Sequence, residues 1–194
     1  MSRIVVNTNV TLDGVMQAPG RPDEDTRDGF EHGGWGQPYF DEVMGQKAAE
    51  GMAGTEAFLF GRRTYEDFAS VWPTMPADNP FASVLNDRPK YVASTTLREP
   101  LPWANSTLLE GDLGEAVVAL KERHEKDIVV LGSGELARSL MDHGLVDRYV
   151  LWIHPLVLGS GRRLFIDGMG SSSLRLLDTT TTTTGVVIAT YEPA

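Results

Sequence analysis

The chain has 194 residues, no cysteine and a formal net charge of −10, from 27 acidic against 17 basic residues. With 41% hydrophobic and 23% charged residues it has the composition of a globular domain rather than a disordered one. These totals exclude disulfides, thiolate metal sites and cysteine nucleophiles, and the acidic balance argues against nucleic acid or anionic lipid as a partner.

In chain order, strand and helix signals alternate, which predicts one α/β domain over residues 1–194 with parallel pairings. The opening segment MSRIVVNTNV lacks the long apolar core of a signal peptide, and no stretch approaches the ~20 apolar residues that span a bilayer, so a cytoplasmic protein without membrane contact is expected. Ile4-Val5-Val6 begins a central strand that ends at the turn pair Asp13-Gly14. Residues 17–38 are rich in Gly, Pro and acid and read as a long irregular loop, of the kind that serves as a lid. A helical spacing follows from Tyr39 to about Met52. Next come a buried strand, Ala57-Phe58-Leu59-Phe60, stopping at Gly61, and a helix with Tyr65, Phe68, Ala69 and Trp72 on one face. Residues 73–89 read as a Pro-rich loop, and Lys90–Thr95 as a strand. Asp112 with Glu115 forms an Asp variant of the capping box before a helix. Ile128–Leu131 is the clearest central strand; it runs into Gly132-Ser133-Gly134 and a helix closed by Gly144, where positive φ is wanted. Tyr149–Ile153 is another strand. The tail from Leu174 to Tyr191, with six threonines at 179–184, predicts an antiparallel hairpin around Gly185.

Three places share one design, in which a hydrophobic strand ends in small or hydroxylated residues: Gly61-Arg62-Arg63-Thr64, Ser94-Thr95-Thr96 and Gly132-Ser133-Gly134-Glu135-Leu136. At the first and third a helix begins, so free N–H groups and the positive helix end favour phosphate, and glycine lets the backbone approach it. The third lacks the full G-x-G-x-x-G spacing, position 137 being Ala, which argues against a Rossmann domain. Arg62, Arg63 and Arg98 offer charge for an extra phosphate, which would select NADPH over NADH. The four histidines are scattered without ligand spacing, so no metal site is expected.

The segments TLDGVM (11–16), FLFGRRTYEDF (58–68), KYVASTTL (90–97) and the block from Ile128 to Phe165 resemble the dihydrofolate-reductase-like superfamily, and most closely its riboflavin-biosynthesis branch, the reductase half of the bifunctional deaminase-reductase. The resemblance implies a mostly parallel sheet of about eight strands flanked by helices, with NADPH as hydride donor. It implies that Gly61 to Thr64 contact cofactor phosphates, that Ser94, Thr95 and Arg98 surround the 2′-phosphate, and that Gly132 to Leu136 cradle the pyrophosphate. The loop carrying Asp13 would border the nicotinamide, with Tyr39 on the substrate side. The zinc-dependent deaminase half needs cysteine ligands and is absent. A homodimer is expected by the same likeness.

Reduction of a C=N bond needs a proton as well as a hydride, and a carboxyl whose pKa is raised by an apolar pocket can supply it. Asp41, flanked by Phe40 and near Tyr39, is the candidate; as an acid at a helix N-terminus it also has a purely structural reading. The expected activity is reduction of the ribosylaminouracil phosphate of riboflavin synthesis or a related heterocycle. The alternatives are dihydrofolate reduction and nucleotide binding without turnover. Folate chemistry is disfavoured because Arg88 falls where a folate carboxylate would be met but the loop before it does not match.

Overall fold

A computed structural model describes residues 2–76 and 78–194. Eight strands form one sheet: β1 (Ile4–Thr11), β2 (Thr55–Gly61), β3 (Lys90–Ala93), β4 (Ser106–Leu108), β5 (Asp127–Leu131), β6 (Arg148–His154), β7 (Leu174–Thr181) and β8 (Val187–Pro193). Their order is β4-β3-β2-β5-β1-β6-β8-β7. All pairings through β6 are parallel, and β8 then runs antiparallel to both β6 and β7. The expected α/β class, strand number and antiparallel C-terminal hairpin are all present.

Strand alternation sorts the side chains onto two faces. Ile4, Val6, Ala57, Leu59, Ile128 and Val130 point to one face, where they meet Val117 and Leu120 of α4 (Leu113–Arg123) and Leu136, Ala137 and Leu140 of α5 (Gly134–Asp142). Val5, Phe58, Phe60 and Val129 point to the other. There they meet Met52 of α1 (Glu42–Gly54), Tyr65 of α2 (Arg62–Val71) and Leu85 of α3 (Pro80–Asp87). Both faces of the central strands are therefore covered, which is why these strands read as unbroken apolar runs.

Two elements differ from the sequence expectation. Pro80–Asp87 is a helix inside the stretch read as a loop: Asn79 caps it, accepting from the N–H groups of Phe81 and Ala82, and Pro80 occupies the first turn, where a missing N–H costs nothing. The three-residue edge strand β4 is too short to leave a period-2 signal. Lys90, fully buried at the start of β3, ties α3 to the sheet by donating its ammonium hydrogens to the carbonyls of Leu85, Asn86 and Arg88.

The long connection from β1 to α1 is irregular apart from short 3-10 turns at Arg27–Gly29 and Gln37–Tyr39, yet it is packed. Val15, Ala18, Phe30 and Trp35 form a core of their own. Gln17 binds across the loop, its amide donating to the carbonyls of Asp25 and Arg27 and accepting from the N–H of Arg162. Arg21 reaches α2 and bonds Asp67 at 2.5 Å.

Candidate functional site

One large cavity, about 1090 Å³, opens where the carboxyl ends of β1, β2, β3 and β5 meet the β1–α1 loop. All three cradles lie on its wall: Gly61 to Thr64, Ser94 to Thr96 and Gly132 to Leu136. Two helices aim their first turns at this space without a side-chain cap, α2 after Gly61 and α5 after Ser133. By contrast Asp41, Asn79 and Asp112 cap α1, α3 and α4 with their side chains. The unfilled N–H groups of a helix start are the natural partners of an anionic group. Gly132 has φ +63°, in the left-handed region where a side chain is strained. Ser133 spans two cradles, accepting from the N–H of Gly61 at 3.0 Å and donating to the carbonyl of Leu131. Ser94 is held in a turn, accepting from the N–H groups of Thr96 and Leu97.

Arginines gather at the same end. Arg27, Arg63 and Arg162 each approach one oxygen of the Glu135 carboxylate, at 3.7, 3.5 and 3.3 Å. Arg27 Nη1 and Arg162 Nε are buried and make no hydrogen bond among the described residues, so this cluster has donor capacity left unused there. Arg62 is paired with Glu66 one turn along α2. Arg27 and Arg162 thus stand on the same cavity wall as Arg62 and Arg63, and the sequence did not single them out. Arg162 lies inside the block that carries the family likeness, but Arg27 lies in the irregular loop, where no local pattern marks it.

Four expected residues stand off the cavity wall. Arg98 folds its guanidinium onto the carbonyls of Leu97 and Thr95. Asp13 stitches the first loop to the segment after β6, accepting from the N–H groups of Leu158 and Gly159 and from the Thr11 hydroxyl. Burial opposes its charge, but those hydrogen bonds win and hold its pKa down to about 2. Tyr39 packs edge-on against buried His154 and gives its carbonyl to the Thr184 hydroxyl.

Asp41 requires a correction. One carboxylate oxygen caps α1, accepting from the N–H of Met44, and the other accepts from the N–H and hydroxyl of Thr183 and the N–H of Thr184. The bonds from Thr183 and Met44 hold its pKa below the ordinary aspartate value, the opposite of what a proton donor needs. The carboxyl with the required direction is Glu24, on the cavity wall: burial raises its pKa, Asp67 reinforces that, and the N–H groups of Gly20 and Arg21 offset only part of it.

The other half of the cavity is apolar. It lies between α1, α2, α3 and the sheet, and Met44, Met52, Phe68, Trp72, Phe81 and Trp152 give it flat or soft walls. On its floor Asn7 of β1 accepts a 2.7 Å hydrogen bond from the Trp152 indole.

The family model of the RibD C-terminal domain matches residues 2–188. The Bacillus subtilis protein YyaP is 28% identical over 192 residues, covering 97% of this chain and 94% of its own length. A structure from Shewanella sp. PV-4, named for riboflavin biosynthesis, superposes with a TM-score of 0.70 at 20% identity and covers 99% of both chains. Dihydrofolate reductase from Enterococcus faecalis, solved with NADP(H), superposes with a TM-score of 0.61 at 13% identity over 98% of this chain and 96% of that one. The sheet order, the cavity at the strand ends and the match along nearly the whole sequence thus agree, and the chain belongs to the RibD C-terminal domain family with a dihydrofolate-reductase-like fold.

Proposed function

We propose that this protein is an NADPH-dependent reductase of the riboflavin-branch kind, moving a hydride from the nicotinamide to a C=N or similarly polarised bond of a heterocycle. The observation that carries this reading is the convergence of two uncapped helix starts and a hydroxyl-bearing turn on one cavity, at the end where arginines collect in a chain of net charge −10. The cofactor supplies the hydride when bound. The first turns of α2 and α5, with Arg63, Arg27 and Arg162, would hold its phosphates, and Ser94 and Thr95 would flank the adenosine end. The fit rests on the unused guanidinium N–H groups and on the left-handed backbone at Gly132.

The residues of the chain then have three tasks. The cradles fix the cofactor relative to the apolar half. The β1–α1 loop, tied to α2 by Arg21 and Asp67, covers the site and limits water. Glu24 supplies the proton that neutralises the nitrogen as the hydride arrives. Dihydrofolate reduction is the weaker reading, since Arg88 is not on the cavity wall.

Calorimetric titration with NADPH and NADH tests the assignment. NADPH should bind about tenfold or more tightly, the scale of a charge-assisted phosphate contact. Arg63→Ala should weaken NADPH much more than NADH. Equal affinity for both cofactors in the unmodified protein would overturn the reading.

A further inference from the structure

Glu135 stands where arginines of the cavity wall meet. Nη1 of Arg27, of Arg63 and of Arg162 approaches its Oε1, from 3.7, 3.5 and 3.3 Å. The arginines come from the β1–α1 loop, from α2 and from the segment after β6, and the carboxylate comes from the first turn of α5. Three guanidinium groups converging on one oxygen make a receptor for an anion, and the anion in place is the protein's own.

The carboxylate holds this place loosely. Charge-assisted N–H···O bonds run to about 2.7–2.9 Å, and all three contacts are longer. Arg27 Nη1 is buried beside Glu135 and still makes no hydrogen bond among the described residues. The Glu135 side chain is 66% exposed, so turning it into water costs little packing. Two of the arginines, by contrast, are gripped from behind. Arg27 donates from Nε and Nη2 to the two oxygens of Asp25, and Arg162 donates from Nη2 to Asp28 at 2.8 Å. Neither needs Glu135 to keep its place.

Charge gives the loose fit a consequence. Arg27, Arg63 and Arg162 are balanced by Asp25, Asp28 and Glu135, in a chain of net charge −10. A phosphate entering beside an unmoved Glu135 would meet a like charge. Entering in its place, it would meet three guanidinium groups and the uncapped start of α5, with enough oxygens to bond them all.

We infer that the Glu135 carboxylate is a displaceable stand-in for phosphate. It occupies the anion position between Arg27, Arg63 and Arg162 in the free protein and swings into solvent when a phosphate of the ligand enters. The strength of its hold thereby sets how tightly that phosphate binds. The inference rests on the reading of this end as the phosphate-binding end, and adds how its occupancy is controlled. The competing account is a plain helix-terminus role, since an acid in a first turn is favoured whatever lies nearby. Glu115 has that position in α4, off the cavity wall, and is the natural control.

Calorimetric titration of the nucleotide-free protein with magnesium-free inorganic pyrophosphate tests this. Glu135→Gln should bind pyrophosphate about tenfold more tightly than the unmodified protein, the scale of a few exposed ion pairs that no longer have to be broken. Glu115→Gln removes the same charge from a helix start elsewhere and should leave the affinity unchanged. In the unmodified protein the Glu135 carboxyl carbon resonance, assigned by its loss in Glu135→Gln, should move as pyrophosphate saturates the site. Equal or weaker binding in Glu135→Gln, binding by neither protein, the same gain in Glu115→Gln, or a Glu135 resonance that stays in place overturns the inference. The comparison of NADPH with NADH is read separately. If pyrophosphate behaves as stated and the two nucleotides bind equally, the displaceable carboxylate stands and the NADPH-reductase reading falls; the reverse pattern leaves that reading and removes the inference.

Discussion

Glu24 and Asp41 are carboxylates of the same long connection, and their surroundings push them in opposite directions. Glu24 is partly buried on the cavity wall near a second acid, and one of its oxygens accepts from two backbone N–H groups. Burial is the largest influence and raises its pKa. Asp41 is filled by donors on both oxygens and lowered. A carbon-detected titration should therefore place Glu24 above the ordinary glutamate value of 4.5 and Asp41 below the ordinary aspartate value of 3.8. On the proposed reading the acid form of Glu24 is the donor, so turnover should fall as pH rises through its pKa. Glu24→Gln should remove that limb and slow reduction by about 10²-fold or more. If the same limb persists in the Gln variant, the proton comes from elsewhere.

At the scale of elements, Asp41 joins α1 to the turn between β7 and β8, residues 142 apart in sequence being held by one carboxylate. Asp41→Ala should lower the thermal midpoint by a few degrees while leaving NADPH affinity unchanged, because this carboxylate touches none of the three cradles. A large loss of NADPH binding would instead make it part of the site. The three strand ends that meet at the cavity were legible in the sequence because each is local: a strand running into a glycine or hydroxyl, with a helix start within a few residues at two of the three. The hairpin was legible because threonine and an isolated Gly185 leave little else for the tail to form, and Gly144 was legible for its φ of +64°. The apolar half was not. Met44, Phe68, Phe81 and Trp152 come from three helices and a strand, each with the spacing of ordinary core residues, and only the sheet order brings them together. Asn7 likewise looks like a polar interruption in a buried strand until its partner on β6 is known.

For the whole molecule, three depressed pKa values define how acid should unfold it. Buried His154 sits between the rings of Trp35 and Tyr39 and bonds Asn9, and burial lowers its pKa from 6.5 to about 4. The unfolded chain takes up this proton first, so stability should begin to fall below about pH 6.5 and continue to fall toward pH 4. Glu56, held to about 2 by the N–H of Lys126, by His124 and by the N–H of Glu125, and Asp13, also near 2, act lower down. Their contributions are fully present above the unfolded values of 4.5 and 3.8 and are lost as pH falls toward 2. Glu24 works in the opposite sense, since its raised pKa favours the folded state as protons bind. Thermal midpoints measured from pH 8 to pH 2 should therefore show a shallow decline starting near 6.5 and a steeper one below 4.5. Glu56→Gln should lower the midpoint at neutral pH and flatten the steep part, leaving the shallow part in place. A decline confined to one step, or one that Glu56→Gln leaves as steep as before, would show that these groups do not govern acid unfolding.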